Sequence, residues 1–465
     1  MLRKGLLIIL AGLFSVPMLA QETLTDTQVS AQIVTMQQGA TQQGATTAQA
    51  SGSQLPAGQA VVALDDLVRE ALEKNAGVQS ALHAYEAKLH RVPQVKTLPD
   101  PKVGVGWMGN IEPFSVQDGD PSSYRDIQAL QEIPFPGKLG LRGDIATKEA
   151  KAAWWEYESA RRQVVAEVKT AYYQYYFLSK AIDITQKNKD LLEKLSQISE
   201  ARYRVGKGIQ QDVLKAQTEL SLLISRLTVL QQNEDTAKAR LNTLLSRNPE
   251  TPLGVPDEVR PAVLNYGLGE LYQLATKNDT GLQREQQMVK RNQYAVNLAR
   301  KDYLPDFGVG YMYQQRPLMT DMHGFTFTVN VPVFYKSKQR EAEKEAAEEM
   351  ISAQKAQDSR QNDVNFGVKQ AYLAAKASDE LLRLYSKAVV PQASLALESS
   401  MSSYQVGNVD FLSVLANFSN VLDYQIDYYR ELAAFQTALS QLEPLVGVEL
   451  TTNRSQSPVV SPESK

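Results

Sequence analysis

The sequence predicts a mainly helical protomer with a small β part, in which long coiled-coil-packed helices follow short strands. Three observations predict this fold. Very long stretches carry apolar residues at alternating spacings of three and four. Four short stretches alternate apolar side chains with small or polar ones. Both kinds of stretch recur in the same order in the two halves of the chain, which indicates a duplication.

Composition excludes several classes of protein. The chain has 465 residues, a formal net charge of −3 and no cysteine. This charge gives no basis for nucleic acid as a partner. The lack of cysteine excludes disulfides, thiolate metal sites, a cysteine nucleophile and a lipid-anchored N-terminal cysteine.

The N-terminus has the pattern of a secretory signal peptide, assigned to residues 1–20. Arg3 and Lys4 precede a short apolar run, Leu6–Phe14, and Ala20 offers a small residue for cleavage. The run is too short to span a membrane as a helix. No later stretch is a candidate transmembrane helix, so any crossing is expected to use strands.

Two polar segments flank the folded region. Residues 21–60 are rich in Gln, Thr, Ala, Ser and Gly, and residues 450–465 are similarly poor in apolar side chains. Such segments have little surface to bury, so both are predicted to be disordered, as a leader and a tail.

The duplication divides the remainder into a first structural repeat, 61–250, and a second, 251–449. Four landmarks recur in order: Leu98-Pro99-Asp100 with Leu304-Pro305-Asp306; Ile133-Pro134-Phe135 and Lys138 with Val331-Pro332-Val333 and Lys336; Val168-Lys169 with Val368-Lys369; and Tyr203-Arg204-Val205-Gly206 with Tyr404-Gln405-Val406-Gly407. Four matches in register are not plausibly chance.

Each repeat has the same predicted layout of two shorter helices, two strands and a long helical hairpin. The shorter helices are predicted at 63–75, 77–95, 267–278 and 281–302, and the strands at 102–109, 125–133, 306–314 and 324–332. The long helices are predicted at 138–203, 210–247, 337–404 and 411–444. A helix of about 66 residues is about 100 Å long, and on the helices alone an ordinary coiled-coil rod would be preferred.

The strands favour a membrane channel over a rod. Their aromatic-rich faces fit transmembrane strands, although Gln131 interrupts one face and a soluble half-buried hairpin alternates in the same way. Four strands cannot close a barrel and an open edge cannot lie in lipid, so several protomers must share one barrel. Pro134 and Pro332 lie at the strand-to-helix junctions, where proline is tolerated, and Pro391 is expected to kink the third long helix.

From about residue 62 to 449 the chain resembles the TolC-like outer-membrane efflux protein family. The duplicated halves, the two Tyr-x-Val-Gly reversals and the paired junctions carry this resemblance, and Ile133-Pro134-Phe135-Pro136-Gly137-Lys138-Leu139-Gly140 resembles its heavy-metal-efflux branch. The resemblance implies a homotrimer with a shared 12-strand barrel and a long α-helical barrel. It also implies a passive conduit in the outer membrane of a Gram-negative bacterium, with a large periplasmic portion. The implied partners are a periplasmic adaptor, an inner-membrane pump of the resistance-nodulation-division type, and outer-membrane lipid.

The resemblance places a gate at the periplasmic tip. Tyr404 matches the tyrosine that ties the closed entrance in the family, and Asp212 matches the carboxylate it engages. Val409 stands where TolC has an arginine, and Ser413 and Ala416 stand where TolC has two aspartates, so the gate of this chain must differ.

Other tip residues have two interpretations each. Asp410 could supply an acidic ring in a trimer, or it could be a helix N-cap or first-turn carboxylate, the preferred interpretation. Tyr203 and Tyr404 could gate the duct or staple the reversals, whose turns are assigned to Gly206 and Gly407.

The sequence carries no recognisable catalytic constellation, so neither an enzyme nor a cofactor is predicted. His83 and His90 are about 10 Å apart on one helix face, too far to chelate one ion. Met319, Met322 and His323 could offer soft ligands, but the resemblance puts their loop at the outer face, and no metal site is predicted.

The leading functional prediction is the exit duct of a tripartite efflux system, conducting heavy-metal cations. General drug or organic-compound efflux and type I secretion are the alternative channel functions. A secreted coiled-coil scaffold is the non-channel alternative, but it does not explain the duplicated strands.

Overall fold

The computed structural model describes residues 61–110 and 115–450. The predicted signal peptide and leader, and all of the predicted tail except its first residue, lie outside the described residues. Within the described part the protein is mainly helical with a small β part, which confirms the predicted fold class.

Two shorter helices open each half, and a long helical hairpin closes it. The shorter helices are α1 (Leu64–Lys74), α2 (Ala76–Lys96), α5 (Leu268–Asn278) and α6 (Thr280–Lys301). The long ones are α3 (Lys138–Arg204), α4 (Gln210–Leu244), α7 (Gln339–Leu384), α8 (Val390–Val406) and α9 (Phe411–Val446). None of the described helices is long and apolar enough to cross a membrane.

Helix α3 is buried on several sides at its centre. Tyr172, Tyr173, Tyr175 and Tyr176 are all at most 3% exposed, although four positions within five residues cannot share one helix face. At its centre the helix packs against α1, α4 and α9, which accounts for this burial. Helix α3 therefore lies at the centre of the helical packing within the protomer.

Helix α4 packs through a single stripe, as the heptad pattern predicts. Ala216, Leu223, Leu227 and Leu241 on that stripe are buried against the neighbouring helices. Glu234, the polar break in the stripe, is ion-paired to Lys238 at 2.8 Å, which explains how it is tolerated at a half-buried position.

The third long helix is not uniform. A π-helical turn, Tyr385–Val389, separates α7 from α8 immediately before Pro391. Proline lacks the N–H that an α-helix needs at this position, and a wider turn is a common way to accommodate the loss. The irregularity expected from Pro391 is thus present one turn earlier along the chain.

Four strands form one antiparallel sheet in the order β2-β3-β5-β6. These strands are β2 (Lys102–Met108), β3 (Tyr124–Ile133), β5 (Asp306–Gln315) and β6 (Met322–Asn330). The central pairing joins the two halves, with Ile133 opposite Phe307 and Ala129 opposite Tyr311. Gln131, which interrupts the apolar pattern of β3, donates its side-chain amide to the carbonyl oxygen of Pro99 at 2.8 Å.

A second, two-stranded pairing lies beside α3. Strand β1 (Val61–Val62) runs parallel to β4 (Val255–Pro256). Tyr172 donates its hydroxyl to Val62 and accepts from the N–H of Asp257, and Tyr175 donates to Gly254. The starts of both halves are therefore bonded to the same helix.

Candidate functional site: the paired helix reversals

The two helix reversals have the same backbone geometry. Gly206 follows α3 with φ +71°, and Gly407 follows α8 with φ +85°. In both, the glycine N–H bonds the carbonyl of the tyrosine three residues back, and the next N–H bonds the residue before that tyrosine. This Schellman motif uses a left-handed residue, which explains a glycine at each end.

Tyr404 is enclosed where the two reversals meet. Its side chain is 2% exposed and its ring lies 5.5 Å from that of Phe411. Its hydroxyl donates to Oδ2 of Asp212 at 3.5 Å, so the second reversal is bonded to the start of α4. Burial is the main cause of a raised Tyr404 pKa, and the Asp212 charge adds to it. The structure therefore brings together the two residues that the resemblance paired.

Arg202 is the tip residue that the sequence reasoning missed. Its guanidinium lies 4.6 Å from the centre of the Tyr404 ring. It also donates to the backbone carbonyls of Tyr404 and Gln405, and to that of Lys207 on its own reversal. The only sequence signal is an arginine in the last turn of α3, where helix carbonyls are free to accept.

Asp212 lies between opposing influences. Partial burial raises its pKa, and the nearby charge of Asp410 adds to the rise. The Tyr404 hydroxyl and the Arg202 charge act in the opposite direction, but the net shift is upward. This carboxyl is therefore protonated more readily than an exposed aspartate.

The other predicted tip residues take different positions. Tyr203 is 46% exposed, unlike Tyr404. Asp410 occupies the N-cap position of α9 but accepts from the Ser413 hydroxyl instead of a backbone N–H. Val409 packs against the apolar cluster around Tyr404 and Phe411. Arg202, reaching across from the first repeat, supplies the positive charge beside the tyrosine.

The histidines lie apart from the tip. No group of three or more His, Cys, Asp or Glu side chains is arranged to hold a metal ion within residues 61–110 and 115–450. His83 is bonded to Glu86 at 3.0 Å, and His323 is bonded to the Tyr311 hydroxyl at 2.7 Å.

Long duplicated hairpins, a tip where both reversals meet and a four-stranded sheet at the strand-to-helix junctions define the protomer of an outer-membrane channel. The family model for outer membrane efflux proteins matches residues 67–247 and 271–448. The chain therefore belongs to the outer membrane efflux protein family, as the sequence resemblance indicated. No curated protein matches the chain.

Solved structures with this fold include several channels. VceC from Vibrio cholerae is 16% identical, with a TM-score of 0.71 over 83% of this chain and 96% of that one. CusC, described as forming a transmembrane channel, is 14% identical, with a TM-score of 0.72 over 85% and 95%. The open-state MtrE channel of Neisseria gonorrhoeae is 16% identical, with a TM-score of 0.69 over 83% and 89%.

Family membership establishes the general function. Proteins of this family are efflux channels of the outer membrane in Gram-negative bacteria, with a large helical part in the periplasm. They are homotrimers that work with adaptor proteins and inner-membrane pumps. They are passive ducts and not enzymes, which confirms the prediction drawn from the missing catalytic motifs.

Proposed function

We propose that this chain is the outer-membrane exit duct of a tripartite system that passively exports heavy-metal cations. The proposed partners are a periplasmic adaptor, a pump of the resistance-nodulation-division type, and outer-membrane lipid around the sheet. The observation that carries the duct is the combination of an apolar sheet face with two sheet edges that have no neighbour within the described residues.

The sheet has the surface expected of a membrane segment. One face collects apolar side chains from all four strands, including Val105 at 80%, Phe325 at 84% and Phe327 at 66% exposure. The opposite face carries glycine, threonine and other polar residues. A soluble protomer would expose these aromatic side chains to water, whereas lipid accepts them. Three copies joined edge to edge would give a closed wall of twelve strands.

Exposed apolar residues on the long helices support assembly of several copies. On α4 they are Leu214, Leu222, Ile224 and Val229, and on α7 and α8 they include Phe366, Leu373, Leu384 and Leu395. Within the protomer, α3 packs against α9. By the duplication, α7–α8 corresponds to α3, and α4 corresponds to α9. If the α3–α9 contact is repeated between copies, α7–α8 of one copy packs against α4 of the next, and the exposed apolar residues of both are covered.

The tip is proposed to be the gate. Tyr404, Asp212 and Arg202 bond the two reversals within one protomer, so widening the entrance would require these contacts to break. Asp410 and Tyr203 remain accessible to a neighbouring copy or to the adaptor. Gly206 and Gly407 supply the turns that bring both hairpins to this end.

The heavy-metal assignment is supported by the junction sequence from Ile133 to Gly140. It resembles that branch of the family, and general drug efflux and type I secretion are the alternatives. Growth inhibition of a deletion strain tests the choice, with divalent and monovalent heavy metals set against dyes, detergents and antibiotics. Selective sensitivity to metals is expected, and sensitivity to organic compounds alone would exclude the metal assignment.

The duct itself has a separate test. Detergent-extracted protein should form a heat-sensitive oligomer and conduct ions in planar bilayers. A protein that washes from the membrane with salt and shows no conductance would instead be a coiled-coil scaffold.

A further inference from the structure

The two strand-to-helix junctions are equivalent in sequence but not in contacts. At the first, the amine of Lys138 is buried and lies 2.9 Å from Oδ1 of Asp306 and 3.2 Å from Asp302. It also donates to the carbonyl of Leu304. The N–H of Phe135 donates to Asp306 at 2.7 Å. This junction thus joins the first repeat to the Leu-Pro-Asp segment of the second.

The second junction lacks these contacts within one protomer. Lys336 corresponds to Lys138, yet it is exposed and has no ion-pair partner in residues 61–110 and 115–450. Asp100, which corresponds to Asp306, is also exposed and has none in that same part of the chain. The N–H of Val333, the counterpart of Phe135, bonds the nearby carbonyl of Val331 instead of a carboxylate.

The exposed side chains around Lys336 point to a missing neighbour. Val333 is 69% and Phe334 is 74% exposed, next to the apolar face of the sheet. Helix α7 begins at Gln339, three residues after Lys336, whereas α3 begins at Lys138 itself. The second junction is therefore the less completely formed of the two.

The duplication gives a rule for the missing contacts. Strand β3, the second strand of repeat one, pairs with β5, the first strand of repeat two. By the same rule, the second strand of repeat two, β6, pairs with the first strand of repeat one, β2, of the next copy. These two strands are the edges of the sheet. The hairpin pairs Val103–Ala129 and Val309–Phe327 are equivalent, so the observed pairing of Gln131 with Val309 corresponds to Val329 opposite Val103 of the next copy.

We propose that Lys336 of each protomer forms an ion pair with Asp100 of the next copy, in a junction equivalent to Lys138–Asp306. The strand register at this interface places Val329 opposite Val103 of that copy. This inference rests on the proposed trimeric duct and names the residues that close it. The second junction of each protomer, around Lys336, is then incomplete until a second copy supplies the carboxylate of Asp100.

Two sequence differences set the character of this interface. Tyr335 stands at the position of Gly137, whose φ of +89° is rarely adopted by other residues. Lys96 stands at the position of Asp302, so Lys336 has one carboxylate partner where Lys138 has two. The intersubunit pair is therefore more exposed and more sensitive to salt than the internal one.

Cysteine cross-linking tests the register, and the chain has no native cysteine to interfere. The double variant Val103→Cys with Val329→Cys should yield a covalent trimer on a denaturing gel after mild oxidation, since facing residues lie within disulfide reach. The two residues lie on opposite edges of the sheet, so a bond within one protomer is excluded. Val103→Cys with Phe325→Cys is the matched control, four residues out of register, and should remain monomeric on the gel.

Charge reversal tests the ion pair. Asp100→Lys or Lys336→Asp alone should lower the temperature at which the trimer dissociates in detergent. The combined exchange should recover more than half of that loss, and the difference should shrink at high salt.

The outcomes separate the two proposals. A conducting trimer whose Val103–Val329 pair does not cross-link overturns the register, and one whose charge exchange brings no recovery overturns the ion pair. Both results leave the duct intact. A monomer without conductance overturns the duct itself, and the inference with it.

Discussion

The two helix reversals share a motif and a backbone but not an environment. Both have Tyr-x-Val-Gly and both end in the same hydrogen-bonded turn. Yet Tyr404 is 2% exposed while Tyr203 is 46% exposed. Local sequence thus determines the turn, whereas the contacts between repeats determine which tyrosine is buried.

The residue before each tyrosine explains the difference. It is Arg202 in the first reversal and Ser403 in the second. Arg202 reaches across to the ring and carbonyl of Tyr404, and serine is too short to make the reciprocal contact with Tyr203. The arginine of the first reversal therefore contacts the tyrosine of the second, without a reciprocal contact from Ser403 to Tyr203.

The largest expected effect comes from truncating the buried tyrosine. Tyr404→Ala should cost about 3–5 kcal/mol of stability, because it leaves a cavity beside Phe411. Tyr203→Ala should stay within about 0.5 kcal/mol, as for an exposed position. Thermal melting of the detergent-extracted protein measures both, and bilayer conductance should rise for Tyr404→Ala only. Equal losses at the two positions would contradict the asymmetry.

Removing the guanidinium should have the next largest effect. Arg202→Ala deletes charged hydrogen bonds to carbonyls on both reversals, each of which is worth about 1.5–3 kcal/mol. Arg202→Lys should recover little, because an ammonium cannot reproduce the fork that bonds several carbonyls at once. Arg204→Ala is the matched control, since its side chain is 70% exposed and, among the described residues, is ion-paired only to Glu200. Melting temperature and conductance are the measurements, and equal effects of the two alanine variants would refute the role of Arg202.

The turn glycines should show no asymmetry. Gly206→Ala and Gly407→Ala should each cost about 1–2 kcal/mol, the usual penalty for a side chain in the left-handed region. Neither added methyl group would clash, because the nearest atom is Arg202 Nη2 at 3.5 Å from the Gly407 position and nothing is near at Gly206. Melting curves of the two variants should therefore superimpose. A much larger loss at Gly407 would mean that the shared turn is not equivalent at the two ends.

The smallest expected effect is a dependence on pH. Because burial raises the pKa of Asp212, the native tip binds a proton more readily than the unfolded chain does. Stability from this group is fully present below the ordinary carboxyl pKa and is lost as pH rises through the raised value. Melting temperatures of wild type and Asp212→Asn should therefore diverge as the pH rises above the ordinary carboxyl range, with wild type losing stability relative to the variant. Parallel curves would show that Asp212 does not titrate in this way.

Burial was predicted well from the sequence for helices that pack against a neighbour on one side only. The stripe of α4 follows the heptad because that helix buries a single side. The tyrosines of α3 do not, because α1, α4 and α9 all pack against its centre. The spacing of apolar residues indicates which side of a helix faces a single neighbouring element. It therefore cannot describe a helix that is buried on several sides.

The candidate site was predictable only in part. Tyr404 and Asp212 came from resemblance, and their contact is present. Arg202 could not be predicted, because its partners lie about two hundred positions away and are backbone carbonyls, which any sequence would supply. The difference between Lys138 and Lys336 was also hidden, because identical lysines at equivalent positions of the two repeats differ in burial and in ion pairing.

The central pairing of the sheet has a consequence for the order of folding. Each hairpin, β2–β3 and β5–β6, can form as soon as its own residues are available. Their junction cannot, because the Phe135 N–H and its Asp306 acceptor are separated by 171 positions. Closing so long a loop is slow, and strand edges left unpaired meanwhile favour aggregation. The first hairpin must therefore be protected from aggregation until the second hairpin is available to pair with it. The apolar face of the sheet, which faces lipid in the proposed channel, increases the risk of aggregation during this interval.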